Sequence, residues 1–509
     1  VVTKHSIRII ILILAALNAV SANAATSLDR QPAIKPDYAS ITIPSNIAPM
    51  NFAIEEEAAS FTVKITSGSD SKGFTVKTST DTVNIPPAKW TNLLKKATGK
   101  NIYFEITAHE SDGTTVKFKK ITNHVATDPI DDYLAYRFMR PIYNGWAKIQ
   151  IRQRDLTSFD DSRIIHGKKF GNACMNCHTF PNNEPDQMAM GIRGQYGVGT
   201  LLAMDGKVQK LGTKWGYTEW HPNRKIAAYS INKVRQFFHA VGMQVRDVVD
   251  LDSGIVYYDV DDQQIRTAPA LTKPDRLETY PAWTPDGKWL YFCSAPILWE
   301  DRDTVPPKNF DKVQYDLRRV SYDAETDTWG EAETVLTAEE TGKSVLIPKI
   351  SSDGKYLVVC LTDYGCFPVY QPSSDLAIID LDTGEWRKMP DTVNSEYSES
   401  WHSFSSNGRW LTFSSKRIGG LLTRTFFCHI DEQGNLSKAF ILPQKDPHFY
   451  DSIIQTYSLP QLVKGPVQYS EKELVRAALS DEQIEASLPV TGATPKVKEG
   501  DDPWQQVRE

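Results

Sequence analysis

Cys174-Met-Asn-Cys177-His178 is the stretch of this 509-residue chain whose residue types and spacing could do chemistry. Two thiols three positions apart can each add to one vinyl group of a single porphyrin. The histidine that follows directly is then held beneath the iron as its proximal nitrogen ligand. The pattern points to one covalent haem c held by Cys174, Cys177 and His178. A zinc site would need a second Cys/His pair close by, and a thioredoxin-like dithiol would sit between a strand and a helix of a βαβ unit. Neither pattern is present. Cys293, Cys360 and Cys428 lie in apolar strand contexts and read as small hydrophobes. A Cys360–Cys366 hairpin bridge is not expected, because opposed-strand geometry disfavours it.

The elements that must hold this motif repeat. Four segments share an aromatic or apolar residue, a Pro/Ser-Asp/Asn-Gly type of turn and an apolar strand: 220–229 (WHPNRKIAAY), 283–292 (WTPDGKWLYF), 350–359 (ISSDGKYLVV) and 404–413 (FSSNGRWLTF). Asp or Asn beside Gly supplies the positive φ of a tight hairpin, and the apolar runs fit buried strands. A fifth copy lies at the motif itself, where 178–183 (HTFPNN) aligns with 402–407 (HSFSSN), and the strand Met188–Ile192 follows. Repeats of this kind, each a small antiparallel sheet, imply a β-propeller.

The segment WTPDGKWLYF resembles the TolB-type, WD40-like β-propeller repeat, over roughly residues 215–445. The resemblance implies a fold and leaves function open, because propellers host binding, scaffolding and catalysis alike. The expected fold is mainly β: an N-terminal β-sandwich followed by a five- or six-bladed propeller with haem c at its first blade. Flanks that read as strands exclude a small helical cytochrome domain. Because the motif heads a blade, whose innermost strand lines the central channel, the iron is expected near one channel mouth.

Counting back five residues from the turn residues Asn183, Asn223, Asp286, Asp353 and Asn407 gives His178, Thr218, Pro281, Pro348 and His402. First and last blades of a closed ring are neighbours, so His402 is the first candidate for the distal iron ligand or a distal base. A core histidine bonded to backbone is the competing reading. Met188 and Met190 are lesser distal candidates, though alternate strand residues commonly pack in a core. His166, His221 and His239 follow, and a five-coordinate iron with its sixth position open is the remaining option. Lys168, Lys169 and Arg193 are the nearest cations for the haem propionates. Tyr196 and Trp220 could pack on a porphyrin.

Lys4, His5 and Arg8, the apolar run Ile9–Val20 and the small triplet Ala22-Asn23-Ala24 form a signal-peptide pattern over 1–24. Export to the periplasm or cell envelope is therefore expected, as covalent haem attachment requires, with no integral span after cleavage. Charge agrees with such a setting: 57 Lys+Arg against 63 Asp+Glu give −6, which offers no basic excess for nucleic acid. Residues 25–40 read as a linker, and 41–128 as the β-sandwich, with strands at 61–65, 74–78, 102–107 and 115–119. Residues 129–170 read as a connector with a short helix over 131–139, then 171–445 as the propeller. The C-terminal extension 446–509 holds one helix opened by the capping box Ser470–Glu473 and a disordered tail from Pro489.

Three uses compete. The first is a monohaem cytochrome that passes electrons to or from a redox or envelope protein partner. The second is a haem enzyme acting on a peroxide or small nitrogen compound at the channel mouth. The third is a binding or scaffold protein with structural or sensory haem. No other catalytic motif is present, and the acidic turn Asp259–Asp262 could hold calcium or simply be solvated.

Overall fold

A computed structural model describes residues 26–68, 70–141, 146–240, 246–301 and 303–486, so the expected signal peptide and the expected disordered tail from Pro489 lie outside the described residues. The chain divides into two compact units.

The first unit comprises residues up to Ile43, Pro49–Ala126 and Pro443–Asp451. The four expected strands are present within Ser60–Ser67, Asp70–Thr78, Asn101–His109 and Thr115–Lys117. They belong to a seven-stranded sheet, accompanied by a three-stranded one. Two readings need correction. Residues 26–40 are not a free linker: Thr26–Ser27 pairs in parallel with Val116–Lys117, and Ile34–Lys35 pairs with Ala53–Ile54. Backbone pairing overrides a polar, proline-containing composition here. The helix Pro87–Ala97 went unforeseen, although Pro starts it and Trp90, Leu93, Leu94 and Ala97 bury one face.

The described residues of the second unit form six antiparallel sheets of four or five strands, an arrangement consistent with a propeller. Sheet II is Cys174–Thr179, Met188–Gly194, Gly197–Met204 and Lys207–Leu211. Sheets III, IV, V and VI begin with the strands Gly216–Trp220, Arg276–Trp283, Ser344–Ile350 and Glu399–Phe404. Sheet I joins distant parts of the chain: Thr456–Val463 pairs with Tyr133–Met139, which is followed by Gln150–Asp155 and Asp161–His166.

That sheet overturns two expectations. The connector 129–170 contains no helix at 131–139, because Tyr133–Met139 is a strand bonded on both sides. Its aromatic-rich sequence (YLAYRFM) suits a strand between two neighbours. The propeller therefore begins before residue 171. It also ends after 445, since Thr456–Val463 in the supposed extension is an inner strand. The capped helix is present over Glu471–Leu479, short of the Leu488 to which its amphipathic pattern extends, with Ser470 and Glu473 exchanging the two capping bonds.

Candidate functional site: a three-layered channel at the haem motif

The six inner strands share one irregularity. Cys177, Tyr217, Tyr280, Ile347, Trp401 and Leu459 all have φ between 49° and 57°. At each the pairing register of the sheet slips, as between Asn176 and Thr179 or between Ser400 and Ser403. Left-handed backbone costs an L-residue roughly 1–2 kcal/mol, and for a β-branched residue such as Ile347 it is a true outlier. Six repeats of the same bulge mark it as a built feature of the inner strand.

The bulge lets two or three consecutive residues of each strand line one channel, which the alternation of a flat strand would forbid. The first layer contains Cys177, Tyr217, Tyr280, Ile347, Trp401 and Leu459. Its aromatic rings pack together, Tyr217 lying 4.4 Å from Tyr280 and stacked at 15° on Trp401. The second layer contains His178, Thr218, Pro281, Pro348, His402 and Pro460. The third is polar, with Thr179, Lys349, Ser403 and Gln461. The chamber so enclosed has a volume of about 90 Å³.

His178 is buried, and neither ring nitrogen makes a hydrogen bond of ordinary geometry. Burial, helped by the Arg137 guanidinium, pushes its pKa down to about 4, despite the nearby backbone of Ala135 and Leu459. The imidazole is therefore neutral at physiological pH, the form that binds a metal. Cys177 is partly exposed on the channel wall. Cys174 is different: it is fully buried in the apolar core between sheets I and II, where the Asn176 amide donates to its sulfur at 3.3 Å. Arg137 in turn bonds Asn176.

The residue types suit haem c, a neutral imidazole and two thiols outside any disulfide, but only Cys177 and His178 face the chamber. The space does not fit as folded. Pockets for drug-sized ligands start near ~300 Å³, well above this chamber. Attachment at both thiols would require the segment Cys174–His178 to move, bringing the Cys174 sulfur out of the core.

The other expected residues separate. His402 faces the same chamber, yet its Nε2 lies 2.9 Å from the Val358 carbonyl and its Nδ1 3.7 Å from Cys360 Sγ. Burial pushes its pKa down to about 3. Met188 and Met190 are buried in the inter-sheet core with Cys174 and do not line the chamber. His221 binds the Gly287 carbonyl and packs on Trp283, while His239 is exposed 3.8 Å from Asp247. His166 lies in the outer strand of sheet I. Lys168 and Lys169 are exposed on a short 3₁₀ turn. Arg193 pairs with Cys174 across the ladder and stacks over Trp146. Tyr196 is exposed and Trp220 packs on Trp215, so neither lines the chamber. At the acidic turn, Arg266 pairs with Asp259 and Asp262, and Lys225 with Asp261.

Of the first layer sequence reasoning reached only Cys177, and it missed the third layer. Counting back six residues instead of five yields Cys177, Tyr217, Tyr280, Ile347 and Trp401, so the aromatic layer was within reach of the repeat alignment. The contact between Lys349 and Glu219, on inner strands two sheets apart, had no local signal.

No protein-family model matches the chain, and no curated protein matches it. Among solved structures, TolB from Acinetobacter baumannii aligns at 14% identity and TM-score 0.41, covering 74% of this chain and 85% of that one. An oligogalacturonate lyase in complex with manganese aligns at 12% identity and TM-score 0.34, covering 67% and 86%. None of these reaches a TM-score of 0.5, so the propeller arrangement rests on the six sheets and their shared channel. No described helix is long and apolar enough to cross a membrane.

Proposed function

We propose that this chain is an exported c-type haem protein on a six-bladed propeller scaffold, exchanging single electrons with a protein partner in the periplasm or cell envelope. The observation that carries the reading is His178: a buried, neutral imidazole with both nitrogens unpartnered, directly after Cys177 in a C-x-x-C-H sequence. A buried polar group left without a partner costs roughly 1–3 kcal/mol, and a ligand at that position removes the cost. Cys174 and Cys177 would hold the porphyrin covalently, and His178 would hold its iron. When bound, the haem supplies a one-electron redox centre. The chain's part is to exclude water with the Tyr217–Tyr280–Trp401 layer and to keep His178 unprotonated by burial.

A second reading has its own observation. The burial of Cys174 and the small chamber favour a cofactor-free propeller that binds an envelope protein. One experiment separates the two: intact mass and the visible spectrum of protein exported by cells able to attach haem. The haem reading expects one haem mass on the chain and a Soret band. A mass equal to the processed chain alone, without that band, leaves the cofactor-free propeller. Low-spin iron then indicates electron transfer, whereas high-spin iron that binds cyanide indicates catalysis.

A further inference from the structure

The polar third layer of the channel carries an ion pair with no counterpart elsewhere around the described ring. Lys349, on the inner strand of sheet V, meets the carboxylate of Glu219 on the inner strand of sheet III. Sheet IV stands between them, and at the same register its inner strand has Ala282, whose small side chain leaves the path open. Both ionic side chains are less than a third exposed. Directly above, the second layer presents two buried side chains whose polar atoms have no partner, the Thr218 hydroxyl and the His178 imidazole. They line the chamber that Lys349 also lines. Its 90 Å³ suits a guest of a few heavy atoms.

These features describe a site with its charge already answered from within. We propose that the lower end of the channel is a binding site for a small carboxylate, whose place on Lys349 the Glu219 carboxylate takes in the free protein. The ligand's carboxylate exchanges for Glu219, one oxygen facing the lysine ammonium and the other accepting from the Thr218 hydroxyl. No bond is made or broken. Lys349, Glu219 and Thr218 lie outside the C-x-x-C-H sequence, so the proposal does not rest on the haem reading.

Acetate is the probe, titrated calorimetrically into the purified full chain after its haem content has been measured, so that lack of haem and lack of binding are read separately. Glu219→Gln keeps the shape of the internal carboxylate but frees the ammonium. It should bind acetate at least about tenfold more tightly than the wild type. Lys349→Met should abolish binding, and Thr218→Val should weaken it several-fold. If folded Glu219→Gln shows no saturable binding up to about 100 mM acetate, the pair is only a cross-brace and the proposal fails. Should Glu219→Gln not fold, labelled acetate is followed by NMR with the wild type. Line broadening that Lys349→Met removes supports the site, and identical lines with both proteins overturn it.

Discussion

His178 and His402 face one chamber from equivalent positions on two inner strands, each directly after a left-handed residue, but only His402 has hydrogen-bond partners. The same imidazole is therefore structural in one place and unsatisfied in the other. In haem-free protein, His402→Ala should cost on the order of 2–3 kcal/mol, from a lost buried bond and a cavity. His178→Phe should cost less than about 1 kcal/mol, because it removes two stranded nitrogens. Urea unfolding of both variants checks this, and equal losses would contradict the assignment.

The two motif thiols differ in the same way. Cys174→Ser puts a hydroxyl into the apolar core and should lower stability by roughly 1–3 kcal/mol. Cys177→Ser, on the channel wall, should be nearly neutral. Both should lose one thioether bond when expressed with haem-attachment machinery, which mass spectrometry under denaturing conditions reads directly. A variant pair with matched stabilities would show that Cys174 is not a core residue.

How far the sequence could be read depends on whether the signal was local. The turns at Asp286 and Asp353 and the strands behind them are written into contiguous residues, so sheets II to VI were legible. So was the shared position of His178 and His402, which the spacing to the turns determines. Sheet I was not, because Tyr133–Met139 finds its partner in Thr456–Val463, far away in the chain. Nothing in either segment alone distinguishes an inner strand from a connector. The burial of Cys174 and the partners of His402 are likewise products of packing between sheets.

Asp250 offers a pH test. It is buried within the long hairpin Ile226–Phe238/Arg246–Asp259, and burial raises its pKa from 3.8 to about 7 against the bonds from Asn232 and Ser253. The folded state then holds a proton that the unfolded state has lost. Stability should fall as pH rises from about 4 to 7 and level off above. Asp250→Asn removes that slope, so it should gain up to a few kcal/mol over the wild type near pH 8 and little near pH 4. Denaturation midpoints at both pH values decide the matter, and a constant difference would sink it.

In the first unit, His448 stands 2.9 Å from Asp81 and 3.4 Å from Asp451, which also pairs with Lys35. Burial alone would lower its pKa, but the bonds to Asp451 and Asp81 outweigh it and raise the value above 6.5. A raised folded pKa gives stabilisation that is complete below about 6.5 and is lost as pH climbs through the folded value. The imidazole is 41% exposed, so solvent screening limits the effect to about 1 kcal/mol. His448→Gln should therefore melt earlier than the wild type in mild acid and together with it in mild alkali, by calorimetry.

Because Thr456–Val463 completes sheet I, the ring of sheets cannot shut until residue 463 has been delivered. Leu459, Pro460 and Gln461 arrive with that strand, so the chamber wall facing Cys177 and His178 is the last part of the channel to be built. A motif placed early in the sequence thus waits on a distant segment for its surroundings.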